Sequence, residues 1–194
     1  MAYMSFFDDL PAAEPEPARA HHPWAPPEAE FPAAVASGPV MLGRTEQAAV
    51  AITGISAYSA GFEIFVTARF RPRAGGMPGP GDRMPGGPEP RVAPRSFRFG
   101  LQLADGTKVI GERGPGPAGG AEPDGPVLRT FMGGGGPRSH FWRWWAWPLP
   151  PAGPLEFVCE WPGNGIPETR TAIDAQLILD AAGRSIRLWP EEEG

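Results

Sequence analysis

The chain has 194 residues, including 27 glycines and 27 prolines, and a net charge of −5. Proline lacks an N–H and fixes φ, so prolines in that number belong in loops, edges and tails, which excludes a mainly helical protein. A single cysteine, Cys159, excludes an intrachain disulfide and a cysteine-built zinc site.

Charge is unevenly spread. Residues 1–39 carry Asp8, Asp9, Glu14, Glu16, Glu28 and Glu30 against Arg19, a net −5, and Glu191 to Glu193 add −3, leaving about +3 for residues 40–190. No basic segment leads into an apolar one at the start, and no apolar run approaches the roughly 20 residues that span a bilayer. The expectation is a cytoplasmic protein without a membrane segment.

In chain order, "MAYMSFFDDL" (1–10) is an aromatic and acidic cluster, followed by "PAAEPEPARAHHPWAPPEAEFPAA". That stretch buries too little apolar surface to offset its ordering entropy, so residues 11–39 read as disordered or polyproline II. "AAVAITGISAYS" (48–59) mixes β-branched and small residues and predicts a strand bulged at Gly54. In "FEIFVTARF", Phe62, Ile64, Val66, Ala68 and Phe70 alternate with Glu63, Thr67 and Arg69, the period of a half-buried antiparallel strand.

Residues 71–95 lack periodicity and predict a long surface loop. "SFRFGLQLADGTKVI" predicts a hairpin with Asp105-Gly106 as a two-residue turn. A second Gly/Pro loop covers 111–126, and "VLRTFM" predicts a strand ending at Gly133–Gly136. "LEFVCEW" sets Leu155, Phe157, Cys159 and Trp161 on one face, and "ETRTAI" is a further strand. Near the end Asp174 can cap a helix whose stripe is Leu177, Ile178, Ala181, Ser185, Ile186 and Trp189; residues 186–189 also suit a short strand, and Pro190 stops either. Some seven or eight short strands punctuated by turns predict an all-β, immunoglobulin-like antiparallel sandwich with one short C-terminal helix. The organisation is then a flexible Pro-rich leader (1–39), a sandwich domain (40–190) and an acidic tail (191–194).

"SHFWRWWAWPLPP" (139–151) holds four of the seven tryptophans. On a strand, His140, Trp142, Trp144 and Ala146 share one face; Phe141, Arg143, Trp145 and Trp147 share the other. One face of a sandwich strand meets the core and the other is normally wet, so the second aromatic face needs a cover. The candidates are the loop 71–95, a partner protein, or the leader itself, since proline rings stack on indoles and "HHPWAPPEAEFP" (21–32) is an acidic proline-rich ligand tied to a basic body.

Catalytic signals are weak. His140 is the one histidine beyond the leader, Cys159 sits in an apolar alternation, and no Ser–His–acid or Cys–His set is evident. "GGGGPRSH" lacks the Lys-Ser/Thr and the helix of a phosphate loop. Glu156, Glu160 and Glu168 invite comparison with a glycosidase carboxylate pair, but exposed strand carboxylates are normally solvated or paired with arginine, here Arg98 or Arg143. Arg71, Arg73, Arg83, Arg91 and Arg95 make the long loop basic, while the acidic whole argues against nucleic acid. No enzyme activity, cofactor or metal is expected.

The run "FWRWWAWPLPPAGPLEFVCEWPGNGIPET" (141–169) resembles a stretch found in uncharacterised proteins of high-GC bacteria, and the likeness extends from about Ala48 to Trp189. It implies no activity and transfers no functional residue. The leading expectation is a non-enzymatic adaptor or assembly component. Trp142, Trp144, Trp145 and Trp147 would form its aromatic binding region, and Phe6, Phe7, Asp8, Asp9 and Leu10 a tethered docking motif. The alternatives are a carbohydrate-binding module that uses the tryptophan face, and a structural subunit of a larger particle.

Overall fold

The computed structural model describes residue 22 and residues 24–72, 97–113 and 123–189. The expected loop 71–95 and tail 191–194 fall largely or wholly outside these residues. In chain order the strands are β1 (Glu30–Phe31), β2 (Ala33–Ala34), β3 (Val40–Arg44), β4 (Ala48–Ala57), β5 (Phe62–Phe70), β6 (Arg98–Gln102), β7 (Lys108–Ile110), β8 (Glu112–Arg113), β9 (Val127–Gly136), β10 (Ser139–Trp147), β11 (Pro154–Trp161) and β12 (Ile166–Asp174). Helix α1 (Gln176–Ala182) and β13 (Ile186–Arg187) complete the described chain.

The strands form one seven-stranded sheet, β2-β4-β5-β10-β9-β8 with β3 also on β4, one four-stranded sheet, β12-β11-β6-β7, and a two-stranded pair, β1-β13. Nearly all pairings are antiparallel; β8 with β9 is parallel. The inner faces of the two sheets meet through aromatic rings. Phe97 and Phe99, at the start of the β6 hairpin, lie 4.5 Å from Trp142 and 5.4 Å from Trp144 of β10. Trp161 of β11 meets Trp142 and Phe70 edge-on at 5.6 and 5.7 Å. Val50, Ile64, Val66, Leu155 and Phe157 fill the remaining core.

Local patterning accounts for most elements. In β4, inward residues are Ala48, Val50 and Ile52 and then Ile55 and Ala57, a change of parity produced by a bulge at Thr53, next to the expected Gly54. The β6–β7 hairpin turns through three residues, Ala104 to Gly106, not two. Leu103 N–H donates to Thr107 O, Gly106 N–H donates to Leu103 O, and Gly106 takes φ 87°, the type I turn with a glycine bulge. β9 does not stop at the glycines. Gly133 to Gly136 pair with Ser139 to Trp142, so the "GGGG" run is strand.

Two sheet edges are partly covered. On one side Thr169 and Thr171 of β12 donate hydroxyl hydrogen bonds to the carbonyls of Leu42 and Met41 on β3. On the other, Gly111 N–H donates to Phe99 O at 2.9 Å, and the chain crosses between sheets to enter β8. β8 pairs only with Arg129 and Thr130, so the outer edge of β9 from Phe131 to Gly136 has no strand partner among the described residues.

Two expectations need correcting. The composition of the leader predicts no structure through residue 39, yet β1 pairs with β13, β2 pairs with β4, and Val35 is buried with its N–H on Ile55 O at 2.9 Å. Composition averages over this stretch, while two edges of the folded unit offer its backbone partners. The C-terminal stripe also divides. Asp174 accepts from the Gln176 N–H at 2.9 Å, and Ile178, Ala181 and Ala182 are buried. Beyond Ala182 the chain leaves the helix, and Ile186 and Trp189 are exposed beside β1.

Gly111 tests the crossing between sheets. A Cβ there would lie 2.6 Å from Phe99 O and 2.6 Å from the Trp144 ring, whereas Gly125 has nothing within 4 Å. Gly111→Ala should destabilise by about 1–3 kcal/mol in denaturant unfolding, and Gly125→Ala should be near neutral. Equal effects would contradict the crossing.

Candidate binding face

Alternation along β10 sends His140, Trp142, Trp144 and Ala146 into the core, and all four are buried. His140 is a core aromatic, with its ring 4.4 Å from Trp142. Trp142 and Trp144 are therefore not available as a binding surface, and the expected four-tryptophan region does not exist as one face. Phe141, Arg143, Trp145 and Trp147 point to the outside of the seven-stranded sheet, where Trp147 is half-buried.

Trp145 is buried on that outer side. Its indole Nε1–H donates to the main-chain carbonyl of Trp24 at 2.7 Å, and Tyr58 packs edge-on at 5.5 Å between ring centres. Trp24 itself stacks on His22 at 4.8 Å. The segment holding Trp24 is fixed further along, where Glu30 accepts from the Ser59 N–H at 2.9 Å and from the Ser59 hydroxyl.

The cross-strand partner of Trp145 is Glu63, on β5. The alternation assigned Glu63 to a wet face; it is 2% exposed. Its Oε2 accepts from Arg143 Nη2 at 2.6 Å, and the Arg143 guanidinium lies 5.0 Å from the centre of Phe131 and 5.4 Å from that of Phe65. The register between β9 and β10 slips between Arg143 and Trp144, making Phe131 the extra residue of a bulge that sets its ring beside Arg143. Burial first, and the Glu63 carboxylate next, raise the Tyr58 phenol above its ordinary value, with Arg143 pulling the other way. The available signal for this cluster was "FEIF": the carboxylate has Phe65 on its own face as well as Phe62 and Ile64 on the other.

Past Arg143 the face opens. Phe131, Met132 and Phe141 are 49%, 49% and 44% exposed. Met132 pairs with Arg143 and Gly134 with Phe141, so the two large side chains are diagonal neighbours on one surface. Toward β3, a shallow groove of about 330 Å³ is lined by Met41, Ala49, Ala51, Thr53, Thr67 and Arg69.

Other sequence candidates lie apart. Glu156 and Glu168 both pair with Arg170, at 3.2 and 3.0 Å, and Glu160 pairs with Arg98 at 2.8 Å, on the exposed side of the four-stranded sheet. Arg143, offered as a partner for these carboxylates, is committed to Glu63. Cys159 is buried, and burial raises its thiol pKa, the opposite of a reactive cysteine. Among the described residues no three His, Cys, Asp or Glu side chains gather as a metal site, and no helix is long and apolar enough to cross a membrane. Phe6, Phe7, Asp8, Asp9 and Leu10 lie outside the described residues. No family model, curated protein or solved structure matches the chain.

Two measurements check the buried cluster. Removing Arg143 leaves the Glu63 charge without its partner, a loss of about 3–5 kcal/mol for a fully buried pair. Because Arg143 keeps 31% exposure, Arg143→Ala should cost about 2–4 kcal/mol, and Glu63→Gln in the same chain should recover part of it. The second is a titration in a Tyr3→Phe chain, which leaves Tyr58 as the sole phenol. The folded state holds this proton more tightly than the unfolded state. The stability it contributes is therefore complete below pH about 10 and is lost as pH rises through the folded value. Phenolate absorbance should rise later in the native chain than in denaturant, and Glu63→Gln should bring the native midpoint down. Coincident native and denatured midpoints would contradict the burial.

Proposed function

We propose that the chain is a non-enzymatic protein-binding adaptor or assembly component, working in the cytoplasm, whose acceptor surface is the outside of the seven-stranded sheet. The observation that carries this reading is the exposure of Phe131, Met132 and Phe141 together, beside Arg143, on a face whose β4 side is made of small residues. Contiguous exposed apolar side chains rimmed by polar ones mark interaction surfaces, and a cation amid aromatic and methionine side chains matches the composition of interface centres. The aromatic region of the proposal thus moves from Trp142 and Trp144 to their outward neighbours. The second half of the proposal keeps Phe6, Phe7, Asp8, Asp9 and Leu10 as a tethered docking motif.

The scaffold reading is an immunoglobulin-like sandwich. The order β4-β5-β10-β9 in one sheet and β12-β11-β6-β7 in the other supports it, because it corresponds to the A-B-E-D and G-F-C arrangement of that fold with one added strand beside C. A carbohydrate-binding reading draws no support from Trp142, Trp144 and Trp145, since sugar stacking needs indoles open to solvent and these three are buried, leaving the half-buried Trp147 alone of the four.

A photo-crosslinking amino acid at position 141, introduced in the cell that makes the protein, tests the reading. Position 168, exposed on the other sheet, is the control. Adducts of discrete mass containing a second protein are expected from 141 and not from 168. The same adducts from both positions, or none from either, would refute the acceptor surface.

A further inference from the structure

We infer that residues 1–10, "MAYMSFFDDL", dock on the outer face of the chain's own seven-stranded sheet, so that docking motif and acceptor surface cover each other until a partner separates them. The inference rests on the acceptor surface proposed above. It names the occupant of that surface when the chain is alone.

Three observations point to this occupant. The first is where the described chain begins. His22 and Trp24 sit on the outer side, with the Trp24 carbonyl against Trp145, so residues 1–21 start from the same face that carries Phe141. The second is reach. Trp145 and Phe141 are four residues apart on β10, about 13 Å at 3.3 Å per residue. Residues 11–21 can extend to about 36 Å, so the tip reaches the whole patch without disturbing Trp24. A tether of this length holds a ligand at an effective concentration in the millimolar range, so weak contacts suffice.

The third is chemical complementarity. At the Phe141 end of the patch the available charges are positive, whereas the exposed Glu112 lies opposite Arg129 at the other end. Arg69 pairs across from Ser139, two residues from Phe141, and Arg138 lies in the adjoining turn. The one carboxylate buried in this face, Glu63, is already held by Arg143. The tip offers the counterpart in the same order, an aromatic pair (Phe6, Phe7) followed by an acidic pair (Asp8, Asp9) and Leu10. Phe6 and Phe7 would lie among Phe131, Met132 and Phe141, with Asp8 and Asp9 toward Arg69 and Arg138, and the groove of Ala49, Ala51, Thr53 and Thr67 leaves room for the backbone beside them.

The clasp formed by Phe31, Ile186 and Trp189 is also exposed, but Glu28 and Glu30 precede it and Glu191 to Glu193 follow it, so an acidic tip is disfavoured there.

The test uses the full chain with Ser5→Cys carrying a nitroxide; the buried thiol of Cys159 with its raised pKa stays unlabelled at neutral pH. Amide signals of Thr67, Met132 and Phe141 should lose intensity, while those of Gln102 and Lys108, on the β6–β7 edge of the opposite sheet, should not. Adding Phe6→Ser and Phe7→Ser should restore the lost signals. Mixing spin-labelled, isotope-free chain with isotope-labelled chain that carries no nitroxide should give no loss. Equal loss on both sheets, no loss at all, or undiminished loss in the mixture would overturn the proposal, the last because the tip would then be binding a second copy. Cross-linking from position 141 to another protein is independent of the tip, so its success alongside a negative nitroxide result removes self-docking alone.

Discussion

β10 runs through the middle of the larger sheet with indoles on both faces, and one strand then needs two covers. Burial of a large aromatic side chain stabilises by about 2–3 kcal/mol, which is forfeited for any ring left in water. The inner cover is the four-stranded sheet, whose Phe97, Phe99 and Trp161 rings meet Trp142 and Trp144. The outer cover cannot be a third sheet, and the chain supplies a single pass of backbone instead, with Trp24 satisfying the Trp145 N–H. An indole N–H buried without an acceptor costs on the order of 1–3 kcal/mol, so the carbonyl matters as much as the shape.

Covering Trp145 has electrostatic consequences. Its cross-strand neighbour Glu63 is drawn out of water with it, and a lone carboxylate in that position would cost several kcal/mol. Arg143, two residues back on β10 and on the same face, supplies the charge. A guanidinium at this place in turn favours flat apolar partners, found in Phe65 and in Phe131, which the β9 bulge turns outward. The exposed patch is thus the far end of a series of contacts that begins at the tryptophan strand: Trp145, Glu63, Arg143, Phe131.

Elements with one dry face were legible from sequence. β5, the β6 hairpin and β11 alternate because each borders the core on one side, and the period of two survives into the structure. What misled was residue meaning that depends on a neighbour. Glycines 133–136 signal a turn when read alone; in the sheet Gly135 is a strand residue because a Cβ there would run into the backbone of Ser139 and His140. Glu63 signals solvent by its charge, and only the covering of Trp145 removes it from water. The leader signals disorder by its prolines, while the backbone on either side of Pro32 finds partners on β13 and β4. In each case the deciding contact comes from a segment distant in sequence.

The sheet edges are covered unevenly. The β3–β12 side is covered in part by threonine hydroxyls and the β7–β8 side by the crossing at Gly111, while β9 from Phe131 to Gly136 has no strand partner on its outer edge among the described residues. On the exposed side of the four-stranded sheet, Glu156, Glu160 and Glu168 are already paired with arginines. The outside of the larger sheet differs: it combines small residues along β4, apolar ones on β9 and β10, and cations at one end. That combination suits an extended segment carrying aromatic and acidic residues side by side, because each kind of side chain finds its own counterpart and no new backbone pairing is needed.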